Sequence, residues 1–96
     1  MKPAPAVVVR IPGLLRSYTA GVDTVRLAGL PPRATLDDAL QELDRRYPGL
    51  RFRIVDEQAA VRPHIKLFVD GALTRDLGAA LPPAAELMLV GALSGG

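Results

Sequence analysis

The chain lacks cysteine and tryptophan, and its only histidine is His64. Without cysteine, a disulfide bond, a thiolate metal site, an iron–sulfur cluster and a cysteine nucleophile are all excluded. His64 has no ligand partner two or four positions further along the chain, so neither a metal site nor a histidine-based triad can be built around it. We therefore expect no metal site and no side-chain catalysis, and we predict that the protein is not itself an enzyme.

Long apolar segments and runs of like charge are also missing. The apolar run at residues 6–9 is far shorter than a membrane span of about 20 residues. Twelve Lys and Arg residues are dispersed among ten Asp and Glu residues, often close together in the sequence, as are Asp44 and Arg45 or Asp70 and Lys66. The net charge is +2. A solvated surface of mixed charge is favoured over a basic track for nucleic acid. We expect a cytoplasmic protein that binds neither membranes nor nucleic acid.

A length of 96 residues with 49% hydrophobic content has room for one core. We predict a single domain over residues 1–96. Within it, residues 1–6 are expected to be frayed because Pro3 and Pro5 cannot donate to a strand. Residues 91–96, which are small and rich in glycine, are expected to form a flexible functional tail.

Two strands are predicted near the start of the chain. Val7, Val9 and Ile11 recur at every second position, as in a strand with one buried face. A second alternating run at residues 23–27 follows the turn residue Gly21, and together the two runs indicate a wide hairpin.

An amphipathic helix is the clearest local signal. Thr35 and Asp38 have the spacing of a capping box, and Pro48-Gly49 marks a helix end. The apolar residues between them recur at helical spacing: Leu36, Ala39, Leu40, Leu43 and Tyr47. We predict a helix over residues 36–47. The pattern at residues 50–60 is ambiguous between a strand and a turn, and we interpret it as a short irregular or helical turn.

The second half of the chain predicts three further strands, at residues 65–69, 72–74 and 86–90, with Asp70-Gly71 as a tight turn between the first two. A right-handed crossover through the helix is expected to place the returning strand parallel to the first strand and beside it. The predicted class is therefore α+β, a β-grasp (ubiquitin-like) fold with a mixed four- to five-stranded sheet packed on one main helix.

The scattered glycines form no phosphate-binding motif, so no cofactor is expected to bind intrinsically. The end of the sequence, Gly95-Gly96, is more informative. Six extended residues reach about 20 Å. Glycine has no Cβ, so such an arm can pass through a narrow channel. Incidental glycines at a frayed end are the alternative interpretation.

Four segments resemble the MoaD/ThiS-like family of ubiquitin-type sulfur carriers: residues 34–36, 46–50, 62–71 and 93–96. The resemblance implies that Gly96 is the catalytic position, where an adenylate and then a thiocarboxylate form. It implies that Ala92, Leu93, Ser94 and Gly95 thread into partner sites. The implied partners are a ubiquitin-activating-type adenylyltransferase, which uses ATP, and a sulfur-accepting synthase.

The resemblance also implies a partner-binding surface on the exposed sheet face. Alternation places Phe68, Met88 and Val90 on the side opposite the predicted core, so we predict that these three residues form it. Ordinary core packing of Phe68 is the alternative.

Three receivers of the sulfur are open. Residues 11–16 resemble the carriers that feed cysteine synthases, which favours cysteine formation. The alternative is molybdenum cofactor biosynthesis, in which this chain would be the small, non-catalytic subunit of molybdopterin synthase and the large subunit would receive the sulfur. Thiazole formation ranks third. A ubiquitin-like interaction module that is never activated is the competing class of function.

The sequence departs from the family pattern at two places. Ala84-Ala85 replaces a Gly-Asp turn, and Gly91 replaces a proline. We expect the glycine to loosen the root of the tail.

Overall fold

The computed structural model of the chain describes residues 6–91. The elements within them are β1 (Val7–Arg10), a 3₁₀-helix (Gly13–Thr19), β2 (Thr24–Leu27), α1 (Leu36–Arg46), α2 (Leu50–Ile54), β3 (Ile65–Val69), β4 (Ala72–Thr74) and β5 (Glu86–Gly91). No helix in this part of the chain combines the length and the hydropathy needed to cross a membrane.

The five strands form one mixed sheet in the order β2-β1-β5-β3-β4. β5 is central, lies parallel to β1 and pairs antiparallel with β3. The predicted β-grasp class is thereby confirmed. The parallel neighbour of β1, however, is the last strand and not β3, the strand that follows the helices. β3 instead pairs with β4 and β5.

α1 covers one face of the sheet with the predicted apolar stripe. Leu36, Ala39, Leu40 and Leu43 are fully buried. The opposing sheet residues of the same core are Val9, Leu27, Ile65, Leu67 and Leu87. Burying apolar surface on this scale is the main stabilising contribution in a domain of this size.

The capping box forms as predicted. The Thr35 hydroxyl accepts from the Asp38 backbone N–H at 3.1 Å, and the Asp38 carboxylate accepts from the Thr35 N–H at 2.9 Å. The ambiguous segment after α1 forms the short helix α2, which agrees with the turn interpretation. Gly49 precedes it with φ of 95°, a conformation that favours glycine.

The connection between β1 and β2 is a 3₁₀-helix that the sequence patterns did not indicate. Leu15 and Thr19 are its buried residues. The Thr19 hydroxyl donates to the Val22 carbonyl at 2.7 Å, so the one buried polar side chain among the described residues has a partner. This helix stands beside the end of β1, and its position matters for the site below.

Candidate functional site

β5 is the strand that immediately precedes the predicted tail in the sequence. It is the central strand, and it ends at Gly91. The tail residues that carry the predicted chemistry, Ala92, Leu93, Ser94, Gly95 and Gly96, lie outside the described residues. What the structure defines is the position from which they leave, at the same end of the sheet as the last residue of β1 and the first of β3.

The structure places Gly91, the first residue of the predicted tail, in the sheet; that glycine loosens the root stays a prediction. Gly91 is the last residue of β5 and is aligned with Ile65 of β3. A Cβ built on it would lie 2.7 Å from Leu14 Cδ2 and 3.6 Å from Ile65 Cδ1. The root is therefore paired and covered, because a neighbouring side chain occupies the space that a larger residue would fill.

The exposed face of the sheet carries the predicted partner-binding residues. Phe68 of β3 is aligned with Met88 of β5, and Val90 is aligned with Lys66. Directly aligned residues of an antiparallel pair lie on the same face, so Phe68, Met88 and Val90 share a surface, as alternation predicted. Met88 is 41% exposed and Val90 37% exposed, while Phe68 is half-buried. None of the three belongs to the buried core, which contradicts the core interpretation of Phe68.

Leu73 of β4 is a fourth apolar residue of this face and was missed. It is aligned with Phe68 across the tight turn and is 59% exposed. The signal was present in the sequence, because a two-residue turn at Asp70-Gly71 places Phe68 opposite Leu73 by counting outward from the turn. We call Phe68, Leu73, Met88 and Val90 the apolar patch.

Basic side chains border the apolar patch. Arg10 is aligned with Met88 and lies 3.3 Å from the Glu86 carboxylate, and Arg26 is aligned with Val8 on the same face. Lys66 of β3 lies on this face as well. The described strands therefore carry three cationic residues on this side of the sheet, Arg10, Arg26 and Lys66, and one carboxylate, that of Glu86. The face is thus an apolar strip with a positive border.

The described residues form no metal-binding group of histidine, aspartate and glutamate side chains. His64 lies partly buried just before β3. The Arg45 guanidinium, by its hydrogen bond to the Glu42 carboxylate, lowers the pKa of Glu42, and the same bond raises the pKa of Arg45. This pair lies on α1, on the other side of the sheet from the apolar patch.

Known structures share this fold. The chain is 30% identical to SAMP1 from Haloferax volcanii, with a TM-score of 0.79 over 95% of this chain and 99% of that one. A chain of the BexX/CysO complex from Amycolatopsis orientalis is 28% identical, with a TM-score of 0.81 over 95% and 100% of the two chains. CysO from Mycobacterium tuberculosis, at 23% identity and a TM-score of 0.77 over 91% and 99%, shares the fold. No protein-family model and no curated protein sequence matched.

The chain belongs to the MoaD/ThiS-like family of ubiquitin-type sulfur carriers. Its similar structures are small carrier or subunit proteins, and a sulfur-carrier role follows from the membership.

A second apolar surface of this sulfur carrier lies far from the root of the tail. It is a pocket of about 500 Å³ between the segment before α1 and the segment before β5, lined by Val7, Leu30, Pro31, Pro32, Arg33, Ala34, Ala80, Leu81, Pro82, Pro83 and Ala84. The pocket lies at the start of β1 and β5, whereas the tail leaves from the end of β5. Gly91, the last described residue, and this pocket are therefore at opposite ends of the sheet.

Proposed function

We propose that this carrier is adenylated at the Gly96 carboxylate by a ubiquitin-activating-type adenylyltransferase and is then converted to a thiocarboxylate that donates sulfur in biosynthesis. The observation that supports the proposal is the placement of β5. The strand is central, stays paired with β3 up to Gly91 and is followed in the sequence by five residues that end in Gly95-Gly96. Five extended residues reach about 17 Å, enough to enter the active site of another protein.

The chemistry needs a partner because a terminal carboxylate, with a pKa of about 3.5, is ionised and a poor electrophile at neutral pH. In the proposed first step a Gly96 carboxylate oxygen attacks the α-phosphorus of ATP, and pyrophosphate leaves. In the second step the sulfur of a sulfide attacks the acyl carbon of the resulting adenylate, and AMP leaves with the bonding electron pair. The product is a Gly96 thiocarboxylate, a cosubstrate that returns to the carboxylate when its sulfur is delivered and the acyl carbon takes an oxygen from water.

The apolar patch is proposed as the surface that docks the carrier on its partners. The apolar strip offers area that can be desolvated, and Val90 stands next to the root of the tail. The Arg10 and Lys66 side chains at its border favour a partner surface with an apolar centre and an acidic edge. Docking on this face would hold the carrier while the arm enters the partner's site.

Intact mass measurement tests the proposal. The purified carrier is incubated with a ubiquitin-activating-type adenylyltransferase, ATP and sulfide, and is then weighed. We expect a mass gain equal to the replacement of one oxygen by sulfur, dependent on ATP. The matched control lacks Gly95 and Gly96 and is expected to stay unchanged. A wild-type mass that stays constant with several adenylyltransferases of this type would identify the interaction module as the correct function.

For the receiver of the sulfur we propose an enzyme of the cysteine-synthase type acting on an activated serine. The supporting feature is the resemblance of residues 11–16, which directly follow β1 and include the start of the 3₁₀-helix. The thiocarboxylated carrier is mixed in parallel with such a synthase and with a molybdopterin synthase large subunit, each with its own acceptor. With the first enzyme, the thiocarboxylate sulfur displaces the leaving group of the activated serine, so a carrier that gains the mass of this amino-acid unit with the first enzyme alone supports cysteine formation. Hydrolysis of the acyl bond would then release cysteine and restore the carboxylate. Return to the carboxylate mass with the second enzyme alone, with no such adduct, would assign the protein to molybdopterin synthesis.

A further inference from the structure

Leu14 and Gly91 meet where the arm leaves the sheet. The Gly91 Cβ position lies 2.7 Å from Leu14 Cδ2 and 3.6 Å from Leu14 Cβ, whereas carbon atoms in favourable contact are about 3.5–4.0 Å apart. Gly91 is not among the glycines with positive φ. A Cβ at this position would displace the end of the Leu14 side chain, so the close approach of Leu14, and not the backbone conformation, favours glycine here.

The 3₁₀-helix holds Leu14 in place. Leu15, the residue after Leu14, lies in the core at 3% exposure. Thr19, the last residue of the helix, is fully buried and its hydroxyl donates to the Val22 carbonyl. The Arg16 guanidinium donates to the carbonyl of Ile11, the residue after β1, at 3.1 Å. The backbone at Leu14 is thus anchored on both sides, and only its side chain can move.

The side chain of Leu14 is nevertheless 43% exposed. It contributes little to the core, so its contact with Gly91 has no large stabilising role. Gly91 is aligned with the core residue Ile65, so Leu14 covers the root from the helix side of the sheet, while Val90 is exposed on the opposite face. The root of the arm lies between these two apolar side chains.

We infer that Leu14 is a positioning residue: by packing on the bare Cα of Gly91 it fixes the backbone at the end of β5, the point after which the tail begins, and so favours delivery of Gly96 to the activating enzyme. The inference rests on the proposed function. If the backbone at Gly91 is already held in place, the tail that follows it loses less conformational freedom on entering a partner's site. The contact should therefore lower the KM for the carrier and leave the chemical step unchanged.

Four proteins test the inference: wild type, Leu14→Ala, Gly91→Ala and the double variant. The readout is the steady-state rate of ATP-dependent thiocarboxylate formation with a ubiquitin-activating-type adenylyltransferase, measured against carrier concentration. Each single variant is expected to raise the KM for the carrier several-fold with kcat within about twofold. The double variant is expected to be no worse than the worse single variant, because Leu14→Ala removes the contact and Gly91→Ala displaces the same side chain. Multiplied effects, or single variants equal to wild type, would overturn the inference.

Gly13→Ala is the matched control, because a Cβ at Gly13 meets nothing within 4 Å and the residue is next to Leu14. Its KM should equal that of wild type. Thermal unfolding of all the variants separates positioning from folding: melting temperatures close to that of wild type are expected, and a KM increase that follows a drop in melting temperature would contradict a positioning role.

An NMR measurement makes the inference testable without any partner. A nuclear Overhauser effect between the Leu14 methyl groups and the Gly91 α-protons is expected in wild type and is expected to be lost in Leu14→Ala. Its absence in wild type would overturn the inference while leaving the proposed function untouched. A wild-type protein that shows the Overhauser effect but gains no sulfur would instead contradict the proposed function.

Discussion

Thr35 and Asp38 exchange two hydrogen bonds at the start of α1, one in each direction. Replacing Thr35 by Ala leaves the Asp38 backbone N–H without its side-chain acceptor, and such changes cost about 1 kcal/mol. We expect a decrease of about that size in the free energy of unfolding, measured by urea denaturation. Thr35→Ser keeps the hydroxyl and should stay within a few tenths of a kcal/mol of wild type. Equal losses in the two variants would show that the threonine methyl group, and not the cap, is responsible.

Glu42 provides a pH-dependent contribution on the same helix. Its carboxylate accepts from Arg45 and Arg46, and the Arg45 hydrogen bond is the main cause that lowers its pKa. A carboxyl group whose pKa is lower in the folded state stabilises the fold above its unfolded pKa of about 4.3, and this stabilisation is lost as the pH falls through the folded value.

We therefore expect Glu42→Gln to be slightly less stable than wild type at pH 7 and equal to it once the pH is well below 4. The difference should be small and should shrink with added salt, because the pair is exposed to water. Urea denaturation of both proteins at several pH values measures it. A difference that grows as the pH falls would contradict the assigned direction.

Several charged residues have partners that sequence proximity did not indicate. Asp44 was paired with Arg45 on the basis of adjacency, but its carboxylate accepts from the backbone N–H groups of Gly49 and Arg51. Asp70 accepts from the backbone N–H of Glu86 at 2.8 Å, across 16 residues of sequence. A carboxylate takes whichever donors the fold brings within reach, and adjacency along the chain does not determine them.

At the scale of elements, the patterns with a fixed local period were predictable. The strands with period two and α1 with its period of 3.6 were found because each buries one face, which the sequence records as alternation. The 3₁₀-helix was not found. Two buried residues four positions apart, Leu15 and Thr19, are too few to define a period, and one of them is polar.

The sheet face formed by β3, β4 and β5 is the element on which a binding prediction depends. Replacing Phe68 by Ala removes the aromatic ring at the centre of the apolar patch, aligned with both Leu73 and Met88. If this face docks the activating enzyme, the affinity of Phe68→Ala for the adenylyltransferase should be lower than that of wild type by about 10-fold or more, as for the loss of a central aromatic residue in an interface. Isothermal titration or fluorescence anisotropy with the adenylyltransferase measures the change.

Phe52→Ala is the matched control for that prediction. Phe52 is also an exposed phenylalanine, at 54%, but it lies on α2 with its ring under the Arg62 guanidinium at 4.6 Å. This variant removes the same ring from another surface and should bind normally. Unchanged affinity of Phe68→Ala, or equal losses in both variants, would remove the apolar patch from the proposal.

At the scale of the whole molecule, stability and function are expected to be separable. Leu40 is fully buried between α1 and the sheet, and Leu40→Ala should lower the free energy of unfolding by about 2–5 kcal/mol. While it remains folded, this variant should still gain sulfur in the intact-mass assay. Deletion of Gly95 and Gly96 should have the opposite effect, with an unchanged melting temperature and no sulfur gain. A deletion variant that melts markedly lower would show that these glycines stabilise the domain.

The amino-acid sequence by itself determined which segments form strands and the main helix, where α1 begins, the tight turn at Asp70-Gly71 and the family to which the Gly95-Gly96 ending pointed. Each of these depends on residues a few positions apart, whose spacing the sequence records directly. The tertiary structure alone decided that β5 is the central strand, that Leu14 lies on Gly91 and that Asp70 binds the start of β5. These contacts join residues between 16 and 77 positions apart (86 − 70 and 91 − 14). Such pairings are chosen by packing of the whole core, because no local pattern distinguishes one distant partner from another.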